Sequence, residues 1–566
     1  MCHTLTVTLP VDHSVLPDRR VRAGWTGSGG ADATLPAHAN RWLSAKTGLT
    51  ARGTPVAPDS ALAVAESGLP APARAVLSAI VGAEHVLVER EDRLGRAGGL
   101  SYLDLLGRRG AGRPTVPDAV VCPGNRAEVQ RVVEACAEHD VAVVPFGGGT
   151  SVVGGVAALR GGKAAVVVLD LARLDRLVSV DPVSRLAVFE AGVVAPEAER
   201  LLAAHGLTLG HFPQSYERAT LGGFAATRSS GQASAGYGRF EDMVEGVRLA
   251  TPRGEWRLGV SPASAAGPDL RHLVVGSEGA FGVITEVTLR VRPAPAWDRY
   301  EGFVLDGFAA GAAAVRTLAQ GGALGTVTRL SDPRETEVAL ALADGWRPAA
   351  LRAYLRARGV VEPCLLVVGW EGATRAEMLS RRRATRRALG PAVRLGVGPG
   401  NAWRAGRFAG PRQRDALLDA GMCVETLETA TYWAGLDRLR AAVRGALLGS
   451  LTAPGRKPIV ACHISHAYET GASLYFTVLV PRDAEDPVGQ WQAAKQAACA
   501  AIAGLGTITH HHATGVDHAP YLPEEIGALG VDVLAAIKDR LDPRGVLNPG
   551  KLIAAPPPAP GPRPAR

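Results

Sequence analysis

The chain has 566 residues, of which 47% are hydrophobic and 20% charged, so it is long and apolar enough for two or three domains with real cores. Its net charge of +8 is small for this length and is not massed in basic runs, which argues against a nucleic-acid partner. No apolar run approaches the ~20 residues that span a bilayer, and the seven cysteines follow no zinc or disulfide spacing, which favours a reducing, cytoplasmic location.

Regular structure becomes readable near residue 117. The segment "DAVVC" (118–122) predicts a short buried strand, and Asn125 is suited to cap the helix that follows, in which apolar residues recur at helical spacing. "VAVVPF" (141–146) predicts a second buried strand that ends in a glycine-rich loop. Further strand-like segments, separated by turn signals, cover 164–171, 177–181, 185–193, 243–256 and 282–293. The fold class is therefore α+β, with two linked β-rich subdomains.

The glycine loop "PFGGGTSV" (145–152) follows directly on that second strand. It is not a nicotinamide-binding fingerprint, because no strong helix with an acidic residue ~20 positions on follows it, and it lacks the Lys-Ser/Thr of a P-loop. What remains is a nest of backbone N–H groups, with the hydroxyls of Thr150 and Ser151, that suits a diphosphate without a lysine. A tight turn would explain the glycines equally well if the loop stood alone.

Four segments, in order, resemble the FAD domain of the vanillyl-alcohol-oxidase or PCMH type: "PFGGGTSV", "TLGGFAATRSSGQASAGYG", "ATPRG" and "GSEGAFGVITEVTLRVRP". The resemblance implies FAD, held noncovalently because no histidine or cysteine suited to attachment is evident. It implies that residues 145–151 wrap the diphosphate, 214–220 and 227–230 pass along the ribityl and isoalloxazine, and 278–284 close the adenine side. The residues expected to contact the cofactor are Pro145, Phe146, Gly147, Gly148, Gly149, Thr150, Ser151, Gln214, Ser215, Thr220, Gly223, Thr227, Arg228, Ser229, Ser230, Glu278, Gly279, Ala280, Phe281, Gly282, Val283 and Ile284.

The second half of the chain holds three consecutive histidines in "ITHHHATGVDH" (508–518). If this run is extended, His510 and His512 project to one side and His511 to the other, because side chains alternate along a strand. Two imidazoles would then face a common cavity. Polar groups in such a position point to a site rather than to a core.

Two further stretches place polar residues where a core would not. In "SLYFTV" (473–478) strict alternation puts Tyr475 on the polar face of a strand. In "TVTRLSD" (326–332) Arg329 interrupts a strand pattern, and a buried arginine needs an acid or an anion beside it. The stretch 407–433 is helix-like and continues into a Thr/Glu-rich passage.

Together these stretches resemble the alkylglycerone-phosphate synthases, flavoenzymes of ether-lipid synthesis, over residues from about 91 to 553. By this resemblance a tyrosine is the acid or base of the reaction, the histidine run is important for activity, and two arginines contact the substrate or lie near the flavin. The residues concerned are Tyr475, His510, His511, His512, Arg414 and Arg329.

The resemblance implies that a fatty alcohol replaces the acyl group of acyl-dihydroxyacetone phosphate, with the three-carbon unit held on flavin N5 and no net electron transfer. For Tyr475 to act as a base near neutrality, its pKa of ~10 would have to fall by ~3 units, which corresponds to roughly 4 kcal/mol. Arg329, Arg414 and a protonated histidine are the cations expected to lower it.

Two alternatives stay open. FAD-dependent D-2-hydroxyacid oxidases or dehydrogenases look similar overall, and several hold a metal with histidines, for which His463, His466 and the 510–512 run would serve. However, "ETGASLYF" and "HHHATG" lack the metal-binding carboxylate of those enzymes, so no metal is expected. A binding protein that keeps FAD as a relic is disfavoured because Tyr475 and the histidines are retained.

The expected organisation is a partly irregular N-terminal segment (1–115), an FAD domain (116–296) and an α/β cap or substrate domain (297–505). A C-terminal helical segment (506–553) is expected to return to the flavin, and a Pro-rich tail (554–566) to be disordered. A lipid substrate implies an apolar tunnel. A peripheral membrane contact and a homodimer stay open.

Overall fold

The computed structural model describes residues 20–21, 23–25, 35–50, 56–112, 114–342, 347–390 and 392–553. Most of the chain before residue 35, which belongs to the N-terminal segment predicted to be partly irregular, and the whole Pro-rich tail lie outside these residues. Before the first large sheet the described chain forms four helices and a short strand: α1 Ala37–Thr47, α2 Ala71–Val81, β1 Val86–Leu87, α3 Arg90–Leu94 and α4 Tyr102–Arg108. The helix α4 begins with a capping box, in which the Ser101 hydroxyl accepts from the Asp104 backbone N–H.

A four-stranded sheet follows, built from β2 Ala119–Val121, α5 Arg126–Glu138, β3 Val141–Phe146 and β4 Ala165–Asp170. The strand order is β1-β2-β4-β3, with β2, β4 and β3 parallel and β1 antiparallel. The predicted strand at 141–146 is confirmed, and so is the helix cap, since the Asn125 side chain accepts from the Glu128 N–H at 3.0 Å. Burial on both faces explains the continuous valine runs of these strands.

A five-stranded antiparallel sheet, in the order β5-β6-β10-β8-β9, forms the second half of this module. Strands β7 and β11 pair separately as a short ribbon. The strands are β5 Leu177–Asp181, β6 Leu186–Glu190, β7 Leu207–Thr208, β8 Val244–Thr251, β9 Gly254–Leu258, β10 Val283–Arg290 and β11 Arg292–Pro293. The helices are α6 Ala195–Ala203, α7 Leu221–Thr227, α8 Ser234–Tyr237 and α9 Arg271–Val274.

The rest of the chain builds a seven-stranded antiparallel sheet in the order β15-β12-β14-β13-β17-β18-β16. Its strands are β12 Trp297–Asp306, β13 Val327–Ser331, β14 Pro363–Gly372, β15 Val393–Gly396, β16 Met422–Tyr432, β17 Ile459–Ile464 and β18 Gly471–Pro481. Its helices are α10 Phe308–Gln320, α11 Pro333–Leu342, α12 Arg347–Ala357, α13 Arg375–Ala388, α14 Val397–Gly406, α15 Gly410–Asp419, α16 Leu436–Leu451 and α17 Pro487–Ile502.

Helices cover both faces of this large sheet. Phe303 packs edge-on against Trp370, whose indole N–H donates to the Thr385 hydroxyl of α13. The neighbouring Gly302 faces the other way, where a Cβ would lie 2.8 Å from Pro399 of α14. Because successive residues of a strand point to opposite faces, α13 and α14 lie on opposite sides of the sheet.

The last helix, α18 Leu522–Leu541, is interrupted at Gly527, whose φ is +75°. The chain then returns to the first sheet, where the Val143 N–H donates to Val546 O and the Asn548 N–H donates to Val143 O, each at 2.8 Å. The predicted α+β class is confirmed, with the glycine-loop module joined to a larger antiparallel sheet. The six cysteines within the described ranges are all free, and no helix there is long and apolar enough to cross a bilayer.

Candidate active site

A cavity of about 1130 Å³ lies between the glycine-loop module and the large sheet. The glycine loop lines one end, Tyr475 and four histidines line the middle, and aliphatic side chains line the other end. Because ligand pockets are usually ~300–1,000 Å³, this cavity has room for more than one bound molecule.

The glycine loop leaves its backbone donors unpaired. In the part of the chain that the structure describes, none of the N–H groups of residues 147–151 donates a hydrogen bond to the protein. Close packing explains why the loop uses glycine. A Cβ on Gly148 would lie 2.1 Å from Arg218 O, and one on Gly147 would lie 2.3 Å from the Thr220 hydroxyl. The loop can therefore pack tightly against 218–220 while keeping a row of free donors, the donor set that a diphosphate requires.

Most of the residues predicted to contact the cofactor line this cavity. They come from the loop after β3, the turn before α7, the end of α7 and the residues that precede or begin β10. The set comprises Pro145, Phe146, Gly147, Gly148, Gly149, Thr150, Ser151, Gln214, Ser215, Thr220, Gly223, Thr227, Ser229, Ser230, Glu278, Gly279, Gly282 and Ile284.

Four predicted contacts lie away from the lining. Arg228 ends α7 with a left-handed backbone, and its guanidinium donates to Val275 O and His272 O instead. Ala280 and Phe281 pack in a small core with Leu522 and Leu552. The fourth is Val283. Its neighbours Gly282 and Ile284 line the cavity, and because side chains alternate along a strand, the Val283 side chain points to the opposite face, into the core.

The carboxylate of Glu278 has hydrogen-bond partners within the protein. It accepts the backbone N–H groups of Thr514, at 3.1 Å, and Gly515, at 2.9 Å. Burial raises the pKa of Glu278 to about 7, while these hydrogen bonds and Lys551 act in the opposite direction. Glu278 thus ties the segment that follows the histidines to the glycine-loop module.

Tyr475 lies on β18, facing the cavity together with Thr477, while Leu474 and Phe476 are buried on the other face. The predicted alternation is confirmed. The His463 ring stacks on Tyr475 at 4.7 Å between centroids and 18° between planes. Burial raises the pKa of the Tyr475 phenol to about 12, although a hydrogen bond with Thr426 lowers it somewhat.

Arg414 lowers the pKa of Tyr475, as expected of a neighbouring cation, but burial and the charges of Glu425 and Glu428 outweigh it, so the net direction is opposite to the expected one. The charge of Arg329 is matched by Glu335, at 2.9 Å, and the histidines beside Tyr475 are neutral. The phenol is therefore a hydrogen-bond donor and a proton source at neutral pH rather than a base.

The histidine run bends instead of running extended, so the alternation considered for an extended run does not apply. It bends around the buried carboxylate of Glu428, which accepts the backbone N–H groups of His510 at 2.7 Å, His511 at 3.0 Å and His512 at 2.8 Å. The Thr509 hydroxyl donates to the same carboxylate at 2.7 Å. As a result His511 and His512 line the cavity, and His510 lies behind them.

The two histidines of this run that line the cavity flank the phenol. The His511 ring is stacked with Tyr475 at 6.0 Å, and the His512 ring meets it edge-on at 5.5 Å. Burial lowers the pKa of His511, and lowers that of His512 to about 3, although Glu428 raises both. Each neutral imidazole therefore offers one donor and one acceptor nitrogen.

Arg414, on α15, lines the cavity and is only partly satisfied. One terminal nitrogen donates to Leu100 O at 2.8 Å, whereas its Nε is buried without a partner in the described residues. Its other terminal nitrogen donates no hydrogen bond to the described residues, which leaves that nitrogen available to a group bound in the cavity. Arg414 is thus suited to hold an anionic substrate.

Arg329, on β13, also lines the cavity, but it already forms an ion pair with an acidic side chain. It donates to Glu335 at 2.9 Å and to the Ser331 hydroxyl at 3.0 Å, and Nδ1 of His463 lies 2.9 Å from both the Arg329 terminal nitrogen and the Glu335 carboxylate. Although burial raises the pKa of Glu335, Arg329 and His463 lower it well below its ordinary value. The sequence reasoning missed Glu335, whose only local signal is its place in the first turn of α11, three residues after Asp332.

One group in the described ranges could hold a metal ion: His466, His510 and His511, whose ligand atoms lie within 4.8 Å of one another. Their ring nitrogens also have partners in the protein. Nδ1 of His466 is hydrogen-bonded to the hydroxyls of Ser230 and Ser234, and Nδ1 of His510 to Nδ1 of His511 at 2.9 Å. The three rings pack against one another with centroids 5.0 to 5.2 Å apart, and His466 and His511 line the cavity.

The far end of the cavity is an apolar arm between α11, α12 and the β15 edge of the large sheet. The side chains that line this arm are aliphatic. The lining residues of this arm are Val338, Leu342, Leu351, Leu355, Leu365 and Leu395.

Two family models match the chain: "FAD binding domain" over residues 117–258 and "FAD linked oxidases, C-terminal domain" over residues 294–552. The chain is 32% identical over 495 residues to alkyldihydroxyacetonephosphate synthase of Trypanosoma brucei brucei, covering 85% of this chain and 80% of the relative. It is 31% identical over 482 residues to the synthase of Dictyostelium discoideum, covering 82% and 78%. A solved structure of alkyldihydroxyacetonephosphate synthase superposes with a TM-score of 0.79 at 28% identity, covering 91% of this chain and 92% of that one.

The matched FAD model spans the glycine loop, whose free N–H groups fit a diphosphate, and FAD is the cofactor it implies. The identity and coverage extend through the large sheet to the histidine loop and the C-terminal return. The chain therefore belongs to the PCMH-type family of FAD-binding proteins and, within it, to the group that includes the alkyldihydroxyacetonephosphate synthases.

Proposed function

We propose that this FAD-linked enzyme replaces the acyl group of an acyl-dihydroxyacetone phosphate by a fatty alcohol. The observation that carries the proposal is that one cavity joins a cofactor cradle, a polar centre at Tyr475 and an aliphatic arm. A small polar substrate would leave that arm unused. A long acyl or alkyl chain would bury its methylenes there, at about 0.8 kcal/mol each.

The phosphate end of such a substrate needs a cation in the polar centre. Arg414 is the best candidate, because it lines the cavity and one of its terminal nitrogens donates no hydrogen bond to the described residues. Arg329 is less free, since Glu335 balances its charge. Its role is to hold His463 against Tyr475.

The proton transfers fall to the groups around the phenol. FAD, when bound, supplies an electron-poor ring that can take an electron pair from the substrate carbon. The neutral imidazoles of His511 and His512 can accept the proton released from that carbon, and the phenol of Tyr475 can donate to the departing carboxylate. The incoming alcohol then gives its proton to the Tyr475 oxygen, and the imidazole returns a proton to the substrate carbon, so the products are an alkyl ether and a fatty acid, with no net oxidation.

The test is to incubate the FAD-loaded protein with palmitoyl-dihydroxyacetone phosphate and hexadecanol without an electron acceptor. Release of palmitate that depends on the alcohol, with formation of the ether, supports the proposal. Tyr475→Phe should lower the turnover roughly 10²- to 10⁴-fold while the protein keeps its flavin absorbance. Tyr432→Phe is the matched control, because Tyr432 is 74% exposed at the end of β16.

A second candidate is oxidation of a 2-hydroxy acid. The polar centre alone favours it, because Arg414 could bind the carboxylate and a neutral histidine could accept the hydroxyl proton. The aliphatic arm has no role in that reaction. Anaerobic bleaching of the flavin by D-lactate or glycolate, with no ether formed from the lipid substrates, would replace the first proposal by this one.

A further inference from the structure

Behind the cavity, a chain of hydrogen bonds runs from His511 to the protein surface. Nδ1 of His511 is 2.9 Å from Nδ1 of His510, and Nε2 of His510 is 2.6 Å from the Tyr468 hydroxyl. His511 lines the cavity, whereas Tyr468 is half-buried in the turn between β17 and β18, beside the exposed Glu469 and Thr470. The chain thus joins a buried site to the edge of the protein.

Both nitrogens of His510 are used, one on each side, and this is the arrangement that lets an imidazole pass a proton. If Nδ1 of His510 carries the hydrogen, it donates to His511 and its Nε2 accepts from Tyr468. If His511 carries it, every donor and acceptor in the chain reverses. Both arrangements satisfy the same three groups, so a proton can cross without moving a side chain.

We propose that His511, His510 and Tyr468 form a proton relay between the cavity and solvent. A proton taken up at Nε2 of His511 is matched by transfer of its Nδ1 hydrogen to Nδ1 of His510. The Nε2 hydrogen of His510 then passes to the Tyr468 oxygen, and the hydroxyl hydrogen of Tyr468 leaves to water. One proton enters the chain, one leaves it, and each group ends neutral with its tautomer reversed.

The surroundings hold the relay in place. The His510 carbonyl accepts from Arg239 at 2.7 Å, and the backbone N–H of His510 is fixed on Glu428. The ring of Tyr468 lies 5.7 Å from that of His510. Tyr468→Phe therefore removes the hydroxyl that completes the chain while keeping the aromatic packing.

The first experiment measures how fast deuterium from D₂O replaces the hydrogen on the reacting carbon of palmitoyl-dihydroxyacetone phosphate, without alcohol. Tyr468→Phe is expected to slow this exchange by roughly tenfold or more, and to change the solvent isotope effect on turnover. Tyr432→Phe, an exposed tyrosine outside the chain, is expected to leave both unchanged. Exchange at the wild-type rate in Tyr468→Phe would overturn the relay.

The second experiment needs no substrate. Histidine-selective ¹⁵N labelling reports which ring nitrogens carry hydrogen, and Tyr468→Phe is expected to shift the signals of both His510 and His511 while those of His463 stay in place. Unchanged signals for His511 would show that the two ends are not coupled, and would overturn the relay. The exchange assay rests on the proposed function, so a wild type without any exchange refutes that function and leaves the relay to be decided by the NMR result.

Discussion

Glu428 and Tyr475 are directly opposite each other where β16 pairs with β18, on the same face of the sheet. The carboxylate of Glu428 holds the backbone of the three histidines, and Tyr475 faces the cavity that two of them line. The pairing register thus fixes the distance between the phenol and the imidazoles. The position of the three histidines relative to Tyr475 therefore depends on one buried carboxylate, that of Glu428.

Glu428→Gln should disturb the histidines more than the fold. A carboxamide keeps one acceptor oxygen but turns an N–H₂ group toward a backbone N–H, so at least one of the four hydrogen bonds is lost. We expect kcat to fall roughly tenfold to a hundredfold, with KM nearly unchanged. The measurement is steady-state turnover on FAD-saturated protein.

The pH profile separates this role from simple destabilisation. Glu428 raises the pKa of His511 and His512, so its neutralisation lowers both, and the acid limb of kcat should move to lower pH. Glu469→Gln, which changes an exposed acid in the β17–β18 turn, should leave the profile as in the wild type. An acid limb that stays in place in Glu428→Gln would contradict the electrostatic part of this account.

The aliphatic arm predicts chain-length selectivity. Leu395→Trp should fill the arm and exclude methylenes, and each excluded methylene costs about 0.8 kcal/mol, or about fourfold in kcat/KM. Long-chain substrates should therefore lose activity steeply, while a short-chain analogue should keep it. Val361→Trp is the control, because Val361 is 82% exposed. An equal loss for long and short chains would mean that the chain binds elsewhere.

The glycine loop should not tolerate a methyl group at Gly148. A Cβ there would lie 2.1 Å from Arg218 O and 2.9 Å from the Ala219 Cα, both backbone atoms that cannot give way cheaply. We expect Gly148→Ala to cost about 1–3 kcal/mol of stability and to purify with little flavin absorbance. Gly445→Ala should bind FAD normally and gain about 0.5–1 kcal/mol, since its Cβ on α16 meets nothing within 4 Å. Full FAD content in Gly148→Ala would refute the cradle.

The strands and caps of the first sheet were predictable because their signals are local. Residues 141–146 are apolar without interruption, and Asn125 stands one residue before its helix. The alternation that places Tyr475 on the cavity face is equally local. Such patterns need no knowledge of what the segment will pack against.

The site's electrostatics were not predictable in the same way, because their causes are far away in sequence. The bend at the histidines depends on Glu428, which lies 82 residues before His510. The high pKa of Tyr475 depends on burial beneath elements that come together only in the fold. The position of Arg329 within a strand pattern predicted an acidic partner. The sequence did not identify that partner as Glu335, because the contact depends on how α11 packs beside β13.

Acid should destabilise the protein through its buried neutral histidines. Burial lowers the pKa of His211, His512 and His518 to about 3 each, below their unfolded value of about 6.5. Below pH ~6.5 the unfolded chain binds protons that the folded chain refuses, so stability is complete above that pH and falls as the pH drops toward 3, by roughly 1.4 kcal/mol per pH unit for each group. Buried carboxyl groups with a raised pKa oppose this, Glu278 at about 7 among them, but four more buried histidines with a lowered pKa, at positions 463, 466, 510 and 511, add to the decline. The apparent Tm at saturating FAD should therefore fall between pH 6.5 and 4.5, and His518→Gln, which retains an N–H donor for Ala513 O, should flatten the decline. A decline equally steep in His518→Gln would exclude that histidine as one of its causes.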